Sequence, residues 1–551
     1  MSDRQFGFRT RALHAGAVPD AVYGTRAVPI HQSTSFVFKD TDDAANLFAL
    51  QKFGNIYSRI GNPTVAALEE RLASLEGGIG AVATASGMSA EFLVFAALCG
   101  QGDHIVASSK LYGGTITQLD VSLRRFGIET TFVDSDEAED FKAALQENTK
   151  LIFTEVVTNP SSDVVDLPGL AGVAHEHGIP LVVDSTLTTP YLLRPIEHGA
   201  DIVTHSVTKF LGGHGTTLGG VIVESGTFPW NNGKFPQMTE PVESYGGLSW
   251  WGNFAEYGFL TKIRAEQLRD FGPSLTPQAA FQLIQGVETL PQRMEEHTAN
   301  AQKVAEWLEA DERVEYVNHS GLPSHPHHER AKDLLPLGTS SVFSFGVRGG
   351  RETGARFIEE LQLASHLANV GDARTLVLHP ASTTHQQLTQ DQLTAAGIPE
   401  DLIRISVGLE DVEDIIWDLD QALDRALPLS RRRPPSSAPH RTEARPDDQR
   451  TPDRRPGGDR DRGAPARDLA GAGRRAPAAA AALGEVRGDR GHERQAGPRQ
   501  LLRGHLSDLR LQLPALLRQS ADQRGPGRAR LRLPAGPARG AGHRGGVPPA
   551  G

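Results

Sequence analysis

The chain has 551 residues and a formal net charge of −11, but the charge averages two unlike pieces: residues 1–430 carry 30 Lys and Arg against 55 Asp and Glu, residues 431–551 carry 26 against 12. The acidic piece is too long for one core, suits two or three domains, and argues against nucleic acid as its main partner. One cysteine, Cys99, excludes a disulfide framework and a multi-cysteine metal site, Met1 to Thr10 has no apolar core of signal-peptide length, and no window is long and apolar enough to span a membrane, so a cytoplasmic protein is expected.

In chain order, Phe53 to Thr64 reads as irregular structure ending at Asn62-Pro63, before a helix on V-A-A-L-E-E-R-L-A-S-L-E. Tyr57 and Arg59, two residues apart, share one side of an extended chain and can grip one anion. Next come a short strand, A-V-A-T, a turn at Ser86-Gly87, and a helix whose first amides and dipole suit a phosphate. A second strand and turn, H-I-V-A-S-S-K-L-Y-G-G-T, carries Lys110 and Tyr112. From Gly127 the pattern runs strand (I-E-T-T-F-V), acidic helix, strand (L-I-F-T-E-V-V), ending near Asn159. Such alternation from residue 61 to about residue 223 predicts a mainly parallel, doubly wound α/β sheet.

The chemistry concentrates near the end of that sheet. P-L-V-V-D ends in Asp184, and D-I-V-T-H-S-V-T-K-F-L-G-G-H-G then joins a strand end at Ile202 and Val203 to Ser206, Thr208, Lys209, 25 residues after Asp184, and a glycine-rich turn. Open α/β sheets bind ligands beyond the carboxyl ends of their strands, so Asp184 and Lys209 are expected at one edge. A lysine there can form a Schiff base with an aldehyde, and a carboxylate can keep a pyridine nitrogen protonated, which together suit pyridoxal phosphate. The two hydroxyls can donate to its phosphate. Lys110 is the rival lysine, but it lacks that hydroxyl frame.

After Val223 comes a long Pro-, Gly- and Trp-rich segment whose aromatics argue for order. A helical stretch from Thr276 then leads into a smaller α/β domain with strands near Val314, Val342 and Ile403. Two motifs follow there, T-L-V-L-H-P-A-S-T-T-H from Thr375 to His385, and R-I-S-V-G-L-E, whose Arg404 offers a planar fork to an amino-acid carboxylate. His379 and His385 have no cysteine partner, and no metal is expected. From about Ser430 the composition changes: residues 431–551 contain no Phe, Tyr, Trp, Ile, Met, Asn or Lys, and Arg, Ala, Pro and Gly supply 79 of them. Such a stretch cannot assemble a core and is expected to be a disordered tail without a catalytic part, of the composition that GC-rich DNA read in a shifted frame would give. A nucleic-acid-binding arm, which would make the chain an RNA-binding protein, is the competing reading.

V-D-S-T-L-T-T-P-Y followed by H-S-V-T-K-F-L-G-G-H-G, with the separated motifs above, resembles the Cys/Met-metabolism family of pyridoxal-phosphate enzymes from about Thr10 to about Leu427. Ser185 departs from it, since relatives often carry Asn there. The resemblance implies a fold-type-I enzyme divided into an N-terminal intersubunit arm (1–60), a large cofactor domain (61–265) and a small C-terminal domain (266–429), ahead of the tail (430–551). It implies pyridoxal 5'-phosphate on Lys209, with Asp184 at the ring nitrogen, Asn159 beside the ring hydroxyl, Tyr112 stacked on the ring, and Gly87, Met88, Ser206 and Thr208 around the phosphate. Tyr57 and Arg59 would reach the phosphate of a neighbouring subunit, giving a homotetramer with shared sites. Arg404 and Thr375 would meet the substrate. The implied reaction is γ-replacement on an O-acylhomoserine, with acetate leaving and sulfide adding to give homocysteine. Cystathionine γ-synthesis is the runner-up. The length of the segment after Val223 favours the sulfide-using branch, and Gly114, where methionine γ-lyases usually have cysteine, weakens a γ-lyase.

Overall fold

The computed structural model describes residues 5–383 and 399–427. Within them the alternation becomes β1 (Gly80–Thr84), β2 (His104–Ser108), β3 (Glu129–Val133), β4 (Thr149–Glu155), β5 (Leu181–Asp184), β6 (Ile202–Ser206) and β7 (Gly220–Glu224). They form one seven-stranded sheet in the order β1-β7-β6-β5-β4-β2-β3. The five strands from β6 to β3 run parallel, as expected, while β7 runs antiparallel to both β6 and β1.

Helices cover both faces, which is why the strands are apolar almost throughout. Along β5 the side chains alternate between two cores: Leu181 and Val183 join the one holding Leu68 and Leu72, and Val182 joins the one holding Leu93 and Phe95. The first of these helices, Pro63–Glu76, starts where the sequence marks it. Asn62 caps it by accepting from the Thr64 N–H, proline takes the first turn, and Gly77 ends it in the left-handed conformation at φ 84°.

Helices Pro277–Glu288 and Leu290–Glu309 lead into a second sheet of β8 (Val314–Asn318), β9 (Val342–Val347), β10 (Ser365–His366), β11 (Leu376–Leu378) and β12 (Leu402–Ser406). Its order is β10-β11-β12-β9-β8, and helix Val412–Ala426 packs its buried face on the same core. The expected tail and His385 lie outside the described residues.

The segment after Val223 is ordered by its aromatics. Trp230 stacks on Phe259 with centroids 4.9 Å apart, and Phe228 and Phe235 pack edge-on against it. Its anchor is Glu224 at the end of β7, which is 1 % exposed and accepts from Trp230 Nε1–H at 2.8 Å. Burial pushes this carboxyl up to about 8 from the ordinary 4.5. The folded state therefore holds the proton more tightly than the unfolded chain, and stability contributed at acidic pH is lost as pH rises through about 8. Glu224→Gln keeps the acceptor without the charge. It should unfold at higher temperature than wild type at pH 9, by at most about 5 kcal/mol of stability, and show no advantage at pH 4. Equal differences at both pH values, read by thermal melts, would refute this.

Candidate active site

The parallel strands deliver their last residues to one edge. Glu155 on β4 lies in register with Asp184 on β5, and Asp184 with Thr204 on β6. Beyond Ser206 the chain turns tightly: the Lys209 N–H donates to the Ser206 carbonyl at 3.1 Å and the Gly213 N–H to the Lys209 carbonyl at 2.7 Å. Buried Arg293 fixes the turn from beneath, donating to the carbonyls of Phe210 at 2.6 Å and Leu211 at 3.2 Å. The Thr208 hydroxyl exchanges hydrogen bonds with the Gly219 backbone in both directions, so it also braces the turn.

Lys209 points out of this frame with its Nζ donating to Asn369 Oδ1 at 2.5 Å, and Arg404 Nη2 donates to the carbonyl of the same Asn369 at 3.3 Å. Burial, then the charge of Arg404, pull the Lys209 amine below the ordinary lysine range. A larger neutral fraction makes it a better nucleophile and base.

Facing the lysine strand is the start of helix Gly87–Leu98, capped by Ser86, whose hydroxyl accepts from the Ser89 N–H. A Cβ on Gly87 would stand 2.8 Å from the Ser206 Cβ, and one on Gly220 would stand 2.1 Å from the Ser86 carbonyl oxygen, so only glycine lets the helix start approach so closely. The first amides of a helix have no internal acceptor, and here they open beside the Ser206 hydroxyl.

Tyr112 is 54 % exposed, and its N–H donates to Glu155 Oε1 at 2.6 Å. Asp184 Oδ1 accepts from the Thr186 N–H at 2.7 Å. Beyond the end of β4, Asn159 Oδ1 is buried with no hydrogen-bond partner among the described residues. Such an orphan calls for a donor from outside the chain, and a ring hydroxyl is one. The orphaned amide oxygen, the glycine cradle, the desolvated lysine and the carboxylate of Asp184 together fit pyridoxal phosphate.

Other expected residues fall differently. Thr375 is fully buried, and its hydroxyl donates to Glu410 Oε2 at 2.8 Å while accepting from the Gly408 N–H at 2.9 Å. That corrects its expected contact with substrate: Glu410 captures the hydroxyl, which braces the sheet beside Arg404. Tyr57 and Arg59 stack on each other, the guanidinium 5.2 Å from the ring centroid, and line an open cavity of about 370 Å³ with Ser33 and Thr276. None of the polar contacts of Lys209, Asp184 or Arg404 among the described residues involves them. Lys110 donates to Asp136 at 2.7 Å and pairs with Asp163 at 3.2 Å. Burial works against its charge, but these acids win and raise its pKa, which disqualifies it as a nucleophile. With His327 the same two acids could also hold a cation, and the ammonium of Lys110 already lies between them. His379 hydrogen bonds to Ser382 at 2.8 Å and to the Glu400 carbonyl at 2.7 Å, a structural role.

Three residues at this edge escape sequence reasoning: Asn369, Glu155 and Glu91. Glu91 and Glu155 leave a trace, each as a lone charge in an apolar run, A-E-F-L-V-F-A-A-L and L-I-F-T-E-V-V.

A lysine on the edge of a mainly parallel sheet, facing a helix start and a strand-end carboxylate, defines a pyridoxal-phosphate enzyme of fold type I. The chain belongs to the family described as Cys/Met metabolism PLP-dependent enzymes, whose model matches residues 9–424. It is 49% identical over 429 residues to an O-acetyl-L-homoserine sulfhydrylase of Leptospira meyeri, covering 76% of this chain and 97% of that one. It is 47% identical over 432 residues to a homocysteine/cysteine synthase of Saccharomyces cerevisiae, covering 76% and 97%. Among solved structures it resembles a putative O-acetylhomoserine (thiol)-lyase of Campylobacter jejuni that contains N'-pyridoxyl-lysine-5'-monophosphate, with a TM-score of 0.73 and 39% identity over 76% of this chain and 100% of that one. Nothing in these comparisons supports an RNA-binding protein.

Proposed function

We propose that the chain converts O-acetyl-L-homoserine and sulfide to L-homocysteine and acetate, a step toward methionine. The observation that carries this is Lys209, desolvated, bonded to the same Asn369 as Arg404, in a chain similar to proteins named as O-acetylhomoserine sulfhydrylases. Bound pyridoxal phosphate supplies the electron sink that acidifies the carbon chain of the amino acid and lets the γ-substituent leave. The chain's own residues hold and steer. The amides of Gly87 and Met88 and the hydroxyl of Ser206 bind the phosphate; Thr208, spent on Gly219, shapes the turn. Asp184 would meet the ring nitrogen, Asn159 the ring hydroxyl, and Tyr112 would cover the ring. Arg404 binds the α-carboxylate, which presents Cα and Cβ to the Lys209 amine for proton removal and return.

Gly114 favours replacement over γ-elimination. A Cβ there would stand 2.5 Å from Tyr112 Cε1, so the cysteine usual in methionine γ-lyases would displace this ring. The deciding assay gives the purified protein O-acetylhomoserine with sulfide or with cysteine, and O-succinylhomoserine in parallel. Homocysteine from the first mixture in clear excess is expected. Cystathionine from the second at an equal or higher rate would make it a cystathionine γ-synthase.

We also infer that Tyr57 and Arg59 complete the site of a second copy, within a homotetramer. The N-terminal arm supports this, because Val18, Val22, Tyr23, Val37, Phe48 and Phe53 are all exposed, an apolar surface a monomer would rarely carry. Arg59→Ala should release cofactor more readily, and mixing it with a Lys209→Ala copy should restore part of the turnover that neither shows alone. If no mixture ever complements, the shared-site reading is wrong. Cytoplasmic location is the simplest setting, with Cys99 buried as a free thiol and no helix among the described residues long and apolar enough to cross a membrane.

A further inference from the structure

Tyr112, the ring expected over the cofactor, stands on a stretch that cannot hold itself. It occupies the N-cap of helix Gly113–Thr117, where its side chain makes no capping hydrogen bond. Gly113 and Gly114 follow, and glycine has the widest conformational freedom of any residue. The ring is half-exposed, so core packing does not fix it either. Two buried glutamates hold the turn instead. Ahead of the glycines the Tyr112 N–H donates to Glu155 Oε1 at 2.6 Å, and behind them the Thr115 hydroxyl donates to Glu91 Oε2 at 2.8 Å. Glu155 is 7 % and Glu91 3 % exposed. Burying a carboxyl is costly unless it is hydrogen-bonded, and both of these place an oxygen on the same short turn. Glu155 ends β4 in register with Asp184 on β5, so the two side chains leave the same face of the sheet. Glu91 lies one turn along helix Gly87–Leu98 from the amides of Gly87 and Met88, and Gln118 Nε2 adds a further tie by donating to the Met88 carbonyl at 3.2 Å.

We propose that Glu155 and Glu91 are positioning residues for Tyr112, gripping the two ends of its turn so that the ring is in place before the cofactor arrives. The turn is thereby fastened to the two elements that carry the other grips on the cofactor: the strand edge of Asp184 and the helix of the phosphate cup. A loose Y-G-G-T turn would lose backbone entropy each time the ring closed over its ligand. An anchored turn has lost it already on folding, so the stacking contact contributes to affinity undiminished. The close packing around Gly114 agrees with a fixed ring, since a Cβ there would stand 2.5 Å from Tyr112 Cε1 and 3.3 Å from Met88 Sδ. Glu155 has the larger share, because it holds the peptide of the tyrosine itself. The inference rests on Tyr112 covering the cofactor ring, and both glutamates act through that residue.

The test is a double-mutant cycle in the full-length protein. Glu155→Gln keeps a carbonyl oxygen for the Tyr112 N–H, and Glu155→Leu removes it. In spectroscopic titration with pyridoxal phosphate, Glu155→Gln should bind within about threefold of wild type and Glu155→Leu about tenfold or more weakly. In a Tyr112→Ala background the same change to leucine should weaken binding by less than about threefold, because the residue it acts through is gone. Hydrogen exchange of the backbone from Ser109 to Thr117, read by mass spectrometry before cofactor is added, should be about tenfold faster in Glu155→Leu and unchanged in Glu155→Gln. Losses from Glu155→Leu and Tyr112→Ala that simply add would overturn the proposal, since Glu155 would then act on the fold at large. So would exchange that Glu155→Leu leaves unchanged. Should Glu155→Leu fail to fold, Thr115→Val, which frees the turn from Glu91 with little change of shape, goes through the same cycle with the same expectations. Tyr112→Ala alone separates the two readings: unchanged affinity there would remove the stacking contact and the proposal with it, while the exchange rates report on the anchoring by itself.

Discussion

Lys209→Ala is expected to lose the visible absorbance that appears when the cofactor joins a lysine, and to lose turnover by roughly 10³-fold or more, the range a positioned proton-transfer group supplies. The size of the effect follows from the frame. The amine is desolvated, its pKa is lowered, and its position is fixed by Asn369 at its tip and by Arg293 under its turn. Among the described residues no second amine stands in the same place. Lys110, the rival lysine of the sequence reading, is held by Asp136 and Asp163 with its pKa raised. The variant should still bind pyridoxal phosphate weakly, since the helix start at Gly87 and Met88 is untouched. An absorption spectrum and a turnover assay decide the matter. A retained visible band would move the chemistry to another lysine.

How much of this was legible beforehand depended on where each residue stood in its element. Asp184 and Lys209 each end or follow an apolar run, so the expected sheet edge located those two together, while Arg404 was legible only as a fork on a strand of the second domain. The reversal of β7 was not legible, because an apolar strand reads the same in either direction, and only its pairing with β1 and β6 reveals it. Asn369 was illegible for a different reason: it lies 160 residues from Lys209, and what brings it there is the docking of a turn from the second sheet. Thr375 shows the limit of a motif. Its hydroxyl was free to serve substrate or scaffold, and the carboxylate of Glu410, 35 residues on, decided for scaffold. Glu91 and Glu155 escaped because a buried carboxyl has no signature in composition beyond one charge in an apolar helix or strand.

Arg404→Ala should separate substrate binding from cofactor binding. Arg404 sits mid-strand in β12, between Ile403 and Ile405, which are fully buried, and its backbone is paired with Ser344 on β9 and Leu378 on β11. Its guanidinium has five donors, and the one hydrogen bond it makes among the described residues is that from Nη2 to the Asn369 carbonyl. The rest of the fork is available to a carboxylate. Removing one side of such a desolvated pair costs about 3–4 kcal/mol, or two to three orders of magnitude in kcat/KM. Most of it should appear in KM for O-acetylhomoserine, with the visible cofactor band retained. Arg404→Lys should recover only part, since a point charge cannot reproduce a bidentate fork. A second readout follows from electrostatics. The Arg404 charge helps to lower the Lys209 pKa, so its removal raises that pKa, reduces the neutral amine at a given pH, and moves the pH profile of cofactor capture by the apoenzyme to higher pH. A KM within threefold of wild type would place the carboxylate clamp elsewhere, and an unmoved capture profile would mean that the two cations do not sense each other.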